Sequence, residues 1–194
     1  PEEMIEKGFK QVGKNFPVFL HPNTNEEYAL ARKDRKTGVG HKDFQFNFSP
    51  DVTLEEDLER RDLTINSMAL DENGNLIDPF NGAKDIENKC FRPVSQAFFE
   101  DPLRALRVAR FKAQFPKFFL HESMEQALVK ISASNELLNL SSERVWGEVV
   151  KGLGHDFHQF LQIIKNYNLH EPWFNKLSKI PDINSDIAEI KWCE

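Results

Sequence analysis

Three arginines at a spacing of three, Arg104, Arg107 and Arg110, follow Glu100-Asp101-Pro102 and constrain this chain more than any other feature. Acids and a proline suit the first turn of an α-helix, where the macrodipole favours negative charge and the missing proline N–H costs nothing. No breaker follows before Pro116, so a helix is expected over 101–114. Leu103, Leu106, Ala109 and Ala113 form its apolar stripe, and the arginines form a ridge winding around the helix. Asp101 and Arg104, three apart, are neighbours on one face. A carboxylate only accepts hydrogen bonds and a guanidinium only donates them. Cytosine and adenine each show an amino donor beside a ring-nitrogen acceptor, whereas uracil and guanine show the reverse. A fixed Asp–Arg pair can therefore take C and A and reject U and G without a nucleic-acid template. The same two residues also make an ordinary solvated ion pair, and the motif alone leaves both readings open.

The charge distribution bears on the partner. The formal net charge is -6, yet Arg32 to Lys42 carries five basic residues against one acid, and Lys89 to Lys117 carries seven against two. The acids gather in 51–62 and near the C-terminal end. Local basic patches can hold a phosphate backbone within an acidic protein. Cys90 and Cys193 lie far apart without metal-ligand spacing and form no disulfide framework. A reduced, cytoplasmic setting is the default, no apolar run is long enough for a membrane span, and no membrane partner is expected. The histidines show no metal-ligand grouping, and Trp146 and Trp173 are read as core aromatics.

Further motifs flank the arginine ridge: Leu58-Glu59-Arg60-Arg61-Asp62-Leu63-Thr64-Ile65-Asn66-Ser67-Met68-Ala69, then Leu76-Ile77-Asp78-Pro79-Phe80-Asn81-Gly82, then Leu140-Ser141-Ser142-Glu143-Arg144-Val145-Trp146. In this order and spacing they resemble the class II tRNA nucleotidyltransferases, or CCA-adding enzymes, and the related bacterial poly(A) polymerases. The segment from Phe16 to Arg32 is similar to the proteobacterial CCA-adding type, and the resemblance covers roughly residues 1–165. It implies template-independent addition of C, C and A to the 3′ end of tRNA precursors from CTP and ATP, with Asp101 and Arg104 as the protein template. Poly(A) polymerase and a non-catalytic nucleotide- or RNA-binding remnant are the alternatives. By the same resemblance Arg61 contacts the triphosphate or sugar, Asp62 and Asn66 order the ribose pocket, and Arg107 and Arg110 extend toward the triphosphate. Arg110 has a second reading as a buried partner of an acid such as Glu148. Glu27 is placed like the family's third catalytic acid, or is simply an exposed strand glutamate. Mg²⁺ is the implied cofactor, since hard carboxylate ligands suit it.

The family's Gly-Gly turn and Asp-x-Asp metal-binding pair do not occur in the chain. The expectation is an α+β fold: a truncated nucleotidyltransferase-type α/β head over 1–93, lacking its first catalytic strands and inactive alone. A helical neck with the nucleobase-reading helix follows over 94–170, and a further helical segment begins at 171–194. Short strands are expected at 10–12, 18–20 and 26–32, helical segments at 53–62 and 63–69, and a hairpin at Asp71-Glu72-Asn73-Gly74-Asn75. Gly38 and Gly40 with Lys36 and Lys42 suggest a basic loop near the substrate. Asp78-Pro79 is read as a hinge, with Gly82 permitting a turn. Later helices are expected at 122–132, 142–151 and 157–167, with Ser141 or Ser142 as a cap.

Overall fold

The computed structural model describes residues 2–12, 18–36, 44–47 and 51–176. The expected basic loop at 38–42 lies outside the described residues. The chain forms two compact units, Pro1–Arg60 and Arg61–Glu194.

The first unit opens with helix α1 (Glu2–Glu6) and a three-stranded antiparallel sheet of β1 (Lys10–Val12), β2 (Val18–Leu20) and β3 (Glu27–Ala29), with β2 central. Strands β4 (Lys33–Lys36) and β5 (Phe44–Asn47) pair separately. The 53–62 segment is helical only over α2 (Leu54–Glu59). Thr53 and Glu56 form a reciprocal capping box at its start, satisfying two N–H groups that the first turn leaves without partners.

The second unit carries the hairpin β6 (Ala69–Leu70) and β7 (Leu76–Ile77), then α3 (Gly82–Glu87), β8 (Cys90–Phe91), α4 (Leu103–Gln114) and β9 (Phe119–Leu120). It ends in α5 (Glu122–Ala133), α6 (Ser142–Leu153) and α7 (Phe157–Asn166). The hairpin forms as its sequence demands. Asp71 Oδ1 accepts from the N–H groups of Asn73 and Asn75, and Gly74 takes the left-handed φ of 80° that the turn needs. β8 and β9 are parallel, with α4 as the connection between them.

Leu103, Leu106, Ala109 and Ala113 are all buried, as the stripe required, and α4 packs against both α6 and α7. Ala105, Ala109 and Ala113 recur every four residues, so one side of α4 has no bulk to hold a neighbour away. Leu63 and Phe91 belong to the same apolar core as these helices. Residues 61–93 therefore share an apolar core with the helical elements that follow them.

Three local expectations are corrected. The 63–69 segment is a single 3₁₀ turn, Thr64–Asn66, followed by β6, because side chains compete for its backbone groups. Asp62 and Asn66 both accept from Leu63 N–H, and Ser67 Oγ donates to Leu63 O. At the Asp78 segment the left-handed residue is Asn81 (φ 58°), not Gly82. A Cβ on Gly82 would sit 2.2 Å from Thr64 O, so the glycine serves close approach, while both Asp78 oxygens cap α3 through Gly82 and Ala83 N–H. Trp146 is 62% exposed rather than in the core, whereas Trp173 packs against the core and its Nε1 donates to Leu137 O. Ser141 stands at the N-cap of α6 without a side-chain capping bond.

Candidate nucleotide-binding site

The start of α4 and the Arg61–Asn66 turn come together in the second unit. Buried Asp62 (5% exposed) is the hub. Its Oδ1 accepts from Leu63 N–H at 3.1 Å and Asn66 Nδ2 at 2.7 Å, and its Oδ2 accepts from Arg107 Nε at 2.5 Å. Burial pushes the Asp62 carboxyl up, but the Arg107 charge and the Arg107 and Asn66 hydrogen bonds outweigh it and hold it below the usual carboxylate value. Burial likewise works against charge on Arg107, and Asp62 more than offsets this.

Arg61 Nη1 donates to Asn66 O at 2.9 Å, and Arg61 O accepts from Arg104 Nη1 at 3.3 Å. The same Nη1 donates to Ala97 O at 2.8 Å. Ala97 belongs to the 3₁₀ turn Gln96–Glu100, which Ser95 opens by accepting from Ala97 N–H. Two main-chain carbonyls thus aim the Arg104 guanidinium. Asp101 is held by other partners: Oδ1 accepts from Leu103 N–H at 3.1 Å, and Oδ2 accepts from Arg144 Nη2 at 2.6 Å. Arg61, Asp62, Asn66, Arg104 and Arg107 form one connected network, and Asp101 opens the helix that bears the two later arginines.

A family model described as the poly(A) polymerase head domain matches residues 4–92. The chain is 51% identical over 178 residues to a multifunctional CCA protein of Pseudoalteromonas atlantica, covering 90% of this chain and 44% of that protein. It is 56% identical over 169 residues to a CCA-adding enzyme of Hamiltonella defensa, covering 86% of this chain and 42% of that one. Residues 4–92 thus match the poly(A) polymerase head domain, and the chain is similar to CCA-adding enzymes over most of its own length. Among solved structures, the Bacillus stearothermophilus CCA-adding enzyme in complex with CTP aligns with a TM-score of 0.67 at 32% identity. That alignment covers 83% of this chain and 39% of that one. The chain thus spans less than half the length of these relatives.

Nucleotidyltransferases of this family call for a divalent ion, and the described residues do not fit one. No group of three or more His, Cys, Asp or Glu side chains among them could hold a metal. Glu27 lies in the first unit, exposed on β3, paired in register with Leu20. Arg110 takes its second reading: its Nε donates to buried Glu148 Oε2 at 2.6 Å, with the guanidinium carbon 3.9 Å from the centre of the Phe111 ring. Arg144 is the residue that sequence reasoning left without a task. Its signal was present in the Leu140–Trp146 motif, but nothing local says that its partner lies 43 positions earlier. Among the described residues no helix is long and apolar enough to cross a membrane.

Proposed function

We propose that the whole protein adds C, C and A to the 3′ end of tRNA precursors from CTP and ATP, with Asp101 and Arg104 reading the incoming base. The observation that carries this reading is that each member of the pair is fixed by partners of its own: Arg104 by Ala97 O and Arg61 O, Asp101 by Leu103 N–H and Arg144. A base can then meet an acceptor and a donor already set in place, with little reorganisation on binding. The amino group of C or A donates to the Asp101 carboxylate, and the adjacent ring nitrogen accepts from Arg104. A uracil or guanine carbonyl would instead face the carboxylate, leaving two acceptors opposed.

Arg61 and Arg107 bring fixed positive charge to the triphosphate, which guanidinium groups bind as charge-assisted donors. Asp62 and Asn66 hold the Leu63 backbone and Arg107 in place and so shape the ribose pocket. Arg110, committed to Glu148, ties α4 to α6. Mg²⁺ suits the carboxylate chemistry of the reaction, but the described residues offer no ligand set for it. A tRNA substrate and the free Cys90 thiol suit a cytoplasmic setting. The names of the relatives favour CCA addition over poly(A) addition.

The test is incorporation by the whole protein of all four nucleotides into tRNA lacking its CCA end. CMP and AMP addition with preference over UMP and GMP is expected, and Asp101→Ala in folded protein should relax that preference. Addition of A alone would favour a poly(A) polymerase. An unchanged preference in Asp101→Ala would rule out the Asp101–Arg104 template.

A further inference from the structure

Arg144 stands on α6, 43 positions from the base-reading carboxylate, and its Nη2 donates to Asp101 Oδ2 at 2.6 Å with both side chains 21% exposed. The other oxygen, Oδ1, is occupied by Leu103 N–H at 3.1 Å. The terminal torsion of an aspartate is broad, so one fastener would leave the carboxylate plane free to turn about it. Two fasteners, one per oxygen, fix that plane. A carboxylate has about four lone-pair sites, two on each oxygen, so each oxygen can still accept from a ligand while held.

The same two helices are tied a second time, with the charges exchanged: Arg110 of α4 donates to Glu148 of α6 at 2.6 Å. Val145 and Val149 of α6, each next in sequence to one of these contacts, are buried in the core. The helix pair therefore has an apolar seam and an ion pair that do not involve Asp101. Arg144 adds to them a contact to the one acid proposed to discriminate bases.

We infer that Arg144 is a positioning residue for base selection, fixing the Asp101 carboxylate plane so that the amino group of C or A meets an acceptor at a usable angle. The inference rests on the Asp101–Arg104 reading proposed above. Arg144 acts only through Asp101 and need not touch the nucleotide. Its guanidinium matters as well as its charge, because a planar fork holds a carboxylate in one orientation and a lysine ammonium acts as a point charge.

The experiment uses the whole protein and measures incorporation efficiency for CTP, ATP, UTP and GTP on tRNA lacking CCA, with the melting temperature of each variant. Arg144→Gln should lower the C-over-U and A-over-G preferences by about tenfold, the size of one lost charge-assisted contact. Arg144→Lys should lower them several-fold and decides the matter if the glutamine variant does not fold. Glu148→Gln, which breaks the neighbouring ion pair, should lower the melting temperature and leave both preferences unchanged. A folded Arg144 variant that keeps wild-type preferences, while Asp101→Ala loses them, reduces Arg144 to a helix fastener and overturns the inference. Preferences that survive in Asp101→Ala sink the base-reading proposal itself, a separate outcome.

Discussion

Arg107 Nε lies 2.5 Å from Asp62 Oδ2, joining the ridge of α4 to the turn that opens the second unit. Because Asp62 is buried, its charge depends on this partner. The Asp62 carboxyl is held below its usual value, and a depressed carboxylate contributes stability that is fully present above its unfolded pKa of about 3.9. That contribution is lost as pH falls through the lower folded value. Urea denaturation between pH 6 and pH 2 should therefore show a steeper loss for the wild type than for Asp62→Asn. At neutral pH, Asp62→Ala should cost about 3 kcal/mol, since it strands a partly buried guanidinium. Parallel pH profiles for the two proteins would refute the assignment.

Arg61 is proposed to serve the triphosphate, the portion that CTP and ATP share. Arg61→Ala in the whole protein should therefore lower the efficiency of both nucleotides alike, by roughly one to two decades for a lost charge-assisted contact. Steady-state kinetics with each nucleotide checks this. A loss confined to CTP or to ATP would contradict the role.

Gly82 has Thr64 O where its Cβ would be, at 2.2 Å, with Met68 Sδ at 2.9 Å. The oxygen is main chain and cannot swing aside. Gly82→Ala should cost about 2–3 kcal/mol despite alanine's better helix propensity. Chemical denaturation should show a lowered midpoint; a stabilised variant would mean that α3 moves away from the 3₁₀ turn at no cost.

Trp146 and Leu106 make a paired contrast. Trp146→Ala should change stability by no more than about 0.5 kcal/mol, because the indole lies mostly in solvent. Leu106→Ala, at a fully buried position of α4, should cost about 2–5 kcal/mol. Thermal melts of the two variants decide it, and similar losses would place Trp146 in a packed setting after all.

The elements that could be read from the chain are those whose signal is local. β1 and β2 fall on the expected residues, the Asp71–Asn75 turn carries its own hydrogen bonds, and α4 shows an apolar stripe that only one face can satisfy. Helix α6 was ambiguous for a physical reason. Val145 and Val149 lie on one face, and Trp146, Val150 and Leu153 on another, and periodicity gives either face an equal claim to the core. The fold buries the first. The 63–69 segment has a helical composition, but Asp62, Asn66 and Ser67 take up the backbone groups that a helix would need. In the candidate site the residue types were legible and so was Glu148 as one partner open to Arg110, while the other pairings were not. Arg107 meets Asp62 and Asp101 meets Arg144 across 45 and 43 positions. Pairings at that distance depend on how helices stack, which no spacing within one helix encodes.

The exchange of charge between the two ties of α4 and α6 works like a coin-lock. Asp101 faces Arg144 and Arg110 faces Glu148, and between the acid and the last arginine α4 carries only Arg104 and Arg107 as charged side chains. If α6 slid by one turn, about 5.4 Å, toward the C-terminal end of α4, Arg144 would leave its acid and approach the like charge of Arg104. The Asp101 end of the joint is thereby indexed by Arg144, while the Arg110–Glu148 tie fastens the other end. Substitutions in the apolar seam can loosen that joint without moving its zero point.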